Sequence, residues 1–102
     1  MNTYEKFRVL HAICHPRRAK ILSFVADNPG LHAGQISKEL GIKRNQVSYH
    51  LGLLEKYKVI KSEYAILEEP ASKGKAARIY SINEKELNNL LKNMEAFVAT
   101  LK

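Results

Sequence analysis

Short runs of helix-spaced apolar residues alternate along the chain with breaks marked by glycine and proline. From Thr3 to Cys14, Phe7, Leu10 and Ile13 recur at helical spacing, with Thr3 placed to cap the first turn. Pro16 biases His15 away from helix and opens the next one. There Ile21, Leu22 and Val25 share a face until Asn28-Pro29-Gly30 ends it. Leu31-His32 predicts a short extended piece. Ile36 and Leu40 mark a short helix that Gly41 closes in the left-handed conformation. Ile42 packs in the turn, and a helix from about Lys43 to Tyr57 carries Val47, Leu51 and Leu54 at i, i+4 and i+7.

Beyond Tyr57 the period changes. Val59 to Leu67 is rich in β-branched and aromatic residues. Ala77 to Ile82 alternates, setting Ala77 and Ile79 against Arg78, Tyr80 and Ile82. Pro70, Ser72 and Gly74 lie between the two runs, which predicts an antiparallel hairpin with a long loop. A helix-turn-helix over about 33–57 followed by a hairpin over about 59–82 is a winged helix. Asn83 with Glu86 three residues on is a capping-box variant that starts a helix over about 83–101. Leu87, Leu90, Leu91, Met94, Phe97, Val98 and Leu101 trace one apolar stripe along it. So small a domain covers only part of that stripe, so a second copy of the chain is expected to pack there with the first helix. The expected fold class is mainly α with a β-hairpin wing: a winged helix-turn-helix with a long C-terminal dimerisation helix, as one domain over residues 1–102.

Composition narrows the function. At 102 residues, 45% hydrophobic and 26% charged, the chain has the make-up of a folded protein with one modest core. It is too small for a two-lobed cofactor-binding enzyme. No phosphate-binding glycine loop, zinc spacing or Ser/His/Asp set occurs, so neither catalysis nor a cofactor is expected. No apolar run approaches the ~20 residues of a membrane span, and no leader-like layout opens the chain. A single cysteine, Cys14, cannot form an internal disulfide, which fits a reducing, cytoplasmic setting. The net charge of +7 points toward polyanions. Of the 17 cations, Lys38, Lys43, Arg44, Lys56, Lys58, Lys61, Lys73, Lys75 and Arg78 fall on the motif and hairpin. The terminal segment from Asn83 is nearly balanced.

The motifs resemble a known family. His15-Pro16-Arg17-Arg18-Ala19-Lys20-Ile21-Leu22 is similar to the D-P-x-R-x-x-I-L opening of the arsenical-resistance-type (ArsR-like) winged-helix repressors. Gln35-Ile36-Ser37-Lys38-Glu39-Leu40-Gly41-Ile42 resembles their first DNA-motif helix and turn. Val47-Ser48-Tyr49-His50-Leu51-Gly52-Leu53-Leu54-Glu55 resembles their V-S-x-H-L-x-x-L-x recognition helix, and Lys58-Val59-Ile60 stands where they have G-L-V. The resemblance, over roughly Leu10 to Ile82, implies a homodimer paired through terminal helices that binds palindromic operator DNA and represses transcription. Metal-sensing members carry a Cys-x-Cys pair where this chain has His32 and Gly34. Others place Asp and His ligands on the terminal helix, where this one has Glu84, Glu86 and Glu95 and no histidine. With neither donor set complete, the resemblance implies a regulator without metal sensing.

With Val47, Leu51 and Leu54 inward, the recognition helix shows Arg44, Asn45, Ser48, Tyr49 and Gly52 on its opposite face, with Gln46 beside them. Asn and Gln pair bidentately with adenine and Arg with guanine, so Asn45 and Gln46 are the candidate base readers. Arg44 reads a base or clamps phosphate, while Ser48 and Tyr49 meet phosphate or a thymine methyl. Lys43 sits at the N-cap, where it cannot accept a backbone bond and adds a cation to the positive helix end; a phosphate would relieve both. Lys73, Lys75 and Arg78 around Gly74 are the candidate wing contacts to the DNA backbone. Glu68 and Glu69 at the wing's base would be repelled by it. Arg17, Arg18 and Lys20 either touch backbone or supply one structural arginine paired with Glu39 or Glu55. His50 reads as a hydrogen-bonded structural histidine. His11, Cys14 and His15 have the spacing for metal ligands. However, Pro16 bends the chain there, and a lone cysteine is more often a small buried hydrophobe. Cys14 joining two subunits is a further reading. Two rival functions stay open: an architectural or chromatin protein coating DNA without specificity, and a protein-interaction module of the transcription machinery. No pattern names a small-molecule effector.

Overall fold

In the computed structural model Pro16 and Gly41 set breaks between helices, and Lys58 turns the chain from helix into strand. The structure describes residues 3–70 and 73–101, apart from the side chains of Thr3 and Lys6. The expected Thr3 cap and Ser72 in the wing loop lie outside what is described. The elements are α1 (Thr3–Ile13), α2 (Pro16–Asp27), β1 (Leu31–His32), α3 (Ala33–Leu40), α4 (Arg44–Lys56), β2 (Ile60–Ile66), β3 (Ala76–Ile82) and α5 (Glu84–Thr100).

Each boundary has a local cause. His15 is extended at φ −63°, ψ 129°, and Pro16 opens α2 where its missing N–H is not needed. Gly41 takes φ 65° and ends α3, its N–H bonding the Ser37 carbonyl at 2.9 Å. Helix α4 ends with the same device but without a glycine. The Lys58 N–H reaches the Glu55 carbonyl (2.9 Å), the Val59 N–H reaches that of Leu54 (3.0 Å), and Lys58 takes φ 64°. This is a Schellman ending whose apolar seal is the buried pair Leu54 and Val59.

The sheet has three antiparallel strands in the order β1-β3-β2. In the hairpin Ile60 faces Ile82 and Tyr64 faces Arg78. Strand β1 adds to the outer edge of β3, with Leu31 opposite Tyr80. The alternation along β3 turns Tyr80 and Ile82 toward the core rather than Ile79. Ile21, Val25, Ile36, Val47, Leu51, Leu54, Val59 and Ile60 are buried almost completely. At ~1.5–3 kcal/mol for each such side chain, this cluster is the main force holding α4 on α2 and α3.

Leu87 and Leu90 of α5 join that core, and Phe97 meets Phe7 of α1 edge to face with ring centroids 4.4 Å apart. The rest of the terminal stripe stays open: Leu91, Met94, Val98 and Leu101 are exposed, beside Tyr4 and Phe7 of α1. Asn83 caps α5, its side-chain oxygen accepting from the Glu86 N–H. No helix among the described residues is long and apolar enough to cross a membrane.

Candidate nucleic-acid interface

Helix α4 carries the candidate reading residues because its inner face is fully committed. Val47, His50, Leu51 and Leu54 are buried, and this fixes Arg44, Asn45, Ser48 and Tyr49 on the exposed side. Lys43 is the N-cap and makes no side-chain capping bond, so its side chain leaves the start of α4 uncapped, with the cations of Lys43 and Arg44 beside it. Gln46 lies lower on the helix. Its side-chain oxygen accepts from Arg17 Nη1 of α2, so it is tied within the protein while Asn45 is not tied to any described residue.

Two arginines of α2 therefore set the recognition helix, with partners other than the expected Glu39 or Glu55. Arg18 donates from Nε to Nδ1 of His50 (3.1 Å) and from Nη1 to the Ala12 carbonyl (2.8 Å), joining α1, α2 and α4. Burial and the neighbouring Arg18 cation, then His15 and Arg17, hold the His50 imidazole below its ordinary pKa. A neutral ring is what that geometry requires, since Nδ1 must accept. The structural reading of His50 is borne out.

In the wing, Lys73 and Lys75 are exposed at the tip, around Gly74 at φ 86°. The Leu67 N–H to Lys75 carbonyl bond (2.8 Å) and the Gly74 N–H to Leu67 carbonyl bond (3.1 Å) carry the pairing beyond the strands. Arg78 sits further from the tip. Its guanidinium bonds Ser62 Oγ (2.8 Å) and the Tyr64 hydroxyl (3.0 Å), lies over the Tyr64 ring, and stands 3.6 Å from Glu55. The Tyr64 bond raises the Arg78 pKa further above its ordinary value, so Arg78 stays a cation, already partly answered by Glu55. Burial pushes the Tyr80 phenol up.

Sequence reasoning missed one cluster. His32 is the N-cap of α3 and forms a full capping box: its Nδ1 accepts from the Gln35 N–H, and the Gln35 side chain accepts from the His32 N–H. Glu69, from the base of the wing loop, accepts at the same oxygen from His32 Nε2 (3.1 Å) and from Gln35 Nε2 (2.7 Å). Histidine is not among the usual capping residues, so only the spacing of Gln35 three residues on could have signalled the box. Cys14 is exposed rather than buried as a small hydrophobe. Among the described residues no group of three or more His, Cys, Asp or Glu side chains could hold a metal ion.

Known proteins share this layout. The fold matches an ArsR-like transcriptional regulator from Rhodococcus sp. RHA1 with TM-score 0.75 and 19% identity, over 99% of this chain and 87% of that one. It also matches the transcriptional repressor BigR from Xylella fastidiosa (TM-score 0.62, 21% identity, 97% and 89% coverage). A curated relative, an uncharacterized HTH-type transcriptional regulator of Methanocaldococcus jannaschii, is 39% identical over 46 residues, and the match spans 45% of this chain but only 12% of that protein. The family model described as "Helix-turn-helix domain" matches residues 13–63, half of the chain, running from the end of α1 through α4 into β2. The chain belongs to that helix-turn-helix family and has the winged-helix fold of transcriptional regulators.

Proposed function

We propose that the chain is a sequence-specific double-stranded DNA-binding transcriptional regulator that works as a homodimer and represses without sensing metal. The observation that carries this reading is the exposed row Arg44, Asn45, Ser48 and Tyr49 on α4, in a domain whose wing shows Lys73 and Lys75. Asn45 reads a base edge, Arg44 reads a base or holds phosphate, and Lys43 with the open first turn of α4 takes a phosphate. Ser48 and Tyr49 meet phosphate or a thymine methyl. Gln46 joins the base readers once it exchanges Arg17 for a base. Lys73 and Lys75 hold the DNA backbone, with Arg78 behind them.

Pairing is carried by Leu91, Met94, Val98 and Leu101, with Tyr4 and Phe7 beside them, while Leu87, Leu90 and Phe97 stiffen the helix that presents them. Two-fold symmetry then sets two half-sites ~34 Å apart, one turn of DNA. Repression follows the likeness to repressors of this fold. The absence of metal sensing is supported at His32, whose two ring nitrogens are both engaged, by Gln35 and Glu69.

Selection of bound duplexes from a random pool tests the whole reading. A paired, inverted half-site is expected, and Asn45→Ala should relax selection at one position per half-site at a cost of ~1–3 kcal/mol. A pool that stays random after selection, with affinity set by salt alone, would replace the regulator with a non-specific DNA-coating protein. Unchanged DNA binding by the Arg44→Ala, Asn45→Ala double variant would favour a protein-interaction module.

A further inference from the structure

Glu69 is an acid in the wing loop, where a DNA-binding surface gains nothing from negative charge. One of its oxygens accepts from two side chains of another element, His32 Nε2 at 3.1 Å and Gln35 Nε2 at 2.7 Å. The tautomer is fixed by the other ring nitrogen: Nδ1 accepts from the Gln35 N–H, so Nε2 carries the hydrogen and donates to Glu69. The ring lies over Gly34, where an added Cβ would come within 3.1 Å of it, and Gly34 also lies near the Arg44 guanidinium of α4. His32, Gly34 and Gln35 thus join the wing base, the start of α3 and the start of the recognition helix.

We propose that Glu69 is a positioning residue that docks the wing onto the first motif helix, so that Lys73 and Lys75 stand at a fixed offset from α4. This rests on the DNA-binding reading above. The wing reaches backbone only if its tip is held at the right distance from the helix in the groove; pairing with β1 and the packing of Ile60, Tyr80 and Ile82 hold the base of the hairpin and leave the loop beyond β2 free to swing. The bonds to His32 and Gln35 remove that freedom before DNA arrives, so ordering is not charged against binding.

Two variants separate positioning from charge. Glu69→Gln loses the charge and keeps an acceptor oxygen; Glu69→Ala loses both. In the free protein, backbone ¹⁵N relaxation should show lower order parameters over Lys73–Lys75 in Glu69→Ala and wild-type values in Glu69→Gln. On a selected duplex, Glu69→Ala should lose the wing's backbone footprint. Its log–log salt slope should drop by ~3.6, as the dimer gives up two phosphate contacts in each half-site. Glu69→Gln should keep both. Unchanged wing order in Glu69→Ala overturns the proposal, as does tighter binding with an intact wing footprint in both variants, which is the result expected if Glu69 acted only by repelling DNA. If wild type selects no duplex, the DNA-binding reading fails by itself and the relaxation data alone decide the clamp.

Discussion

Replacing Lys58 by glycine should make the protein more stable although it removes an entire side chain. Lys58 holds φ 64°, in the region where a Cβ crowds the backbone. For an L-residue that conformation costs ~1–2 kcal/mol, and glycine adopts it freely. Against this, a glycine gives the unfolded chain more freedom, worth ~0.4–1 kcal/mol. The side chain of Lys58 is exposed, so little packing is lost, and the bonds at this turn come from the backbone: its own N–H to Glu55 and that of Val59 to Leu54. The balance favours glycine by ~0.5 kcal/mol, which in a domain of this size is a rise of ~2–4 °C in Tm. Lys58→Ala keeps the strain and should melt close to wild type. Urea and thermal melts of the three proteins, followed by far-UV circular dichroism, are the assay. A glycine variant less stable than wild type would refute the reasoning, because Lys58 would then owe its conformation to a contact of its own side chain. Equal gains from alanine and glycine would refute it too.

Arg18→Ala strands two acceptors, the Ala12 carbonyl and the buried Nδ1 of His50, and should cost ~2 kcal/mol, which urea denaturation will read; a loss under 0.5 kcal/mol would show the bonds to be idle. Because the folded protein holds the His50 pKa below its ordinary 6.5, the unfolded state takes up the proton first as pH falls. This contribution to stability is therefore complete above about pH 6.5 and is lost progressively below it, at no more than ~1.4 kcal/mol per pH unit. His50→Asn, whose side-chain oxygen can stand in for Nδ1, should flatten that loss in melts between pH 4 and 7. Val98→Glu places a charge on an exposed apolar strip: folding should be kept, and sedimentation velocity should show dimer for wild type and monomer for the variant.

The helices were legible because their apolar residues repeat at helical spacing and because Pro16, Asn28-Pro29-Gly30 and Gly41 punctuate them. The hairpin was legible from its β-branched run and turn residues. What stayed hidden depended on pairing at a distance. The extended piece at Leu31-His32 was expected, but not its pairing with the edge of β3, because two residues are too short to carry any period. The alternation along β3 left its inward face open, because Ile79 and Tyr80 are both plausible core residues, and only the register Ile60 to Ile82 decides between them. One of two readings of the α2 cations paired an arginine with Glu39 or Glu55. Instead that register puts Arg78 opposite Tyr64 and within reach of Glu55, and the α2 arginines turn to Gln46 and His50. In the site, the exposed face of α4 followed from its buried one. The Glu69 bonds to α3 did not, because charge patterning gives a sign and no direction.

The Phe7–Phe97 contact closes nearly the whole chain into a loop, and this governs the order in which the molecule assembles. The helix-turn-helix and the hairpin are built from contacts between near neighbours in sequence, which form cheaply and early. The terminal pair must wait for that scaffold, because closing so long a loop costs the most entropy and gains, apart from Leu87 and Leu90, only a partly covered strip. The carboxy-terminal turns of α5 should therefore be the last to acquire protection from hydrogen exchange during refolding and the first to lose it in the native state. The helix-turn-helix proposed to read DNA thus matures before the strip proposed to pair.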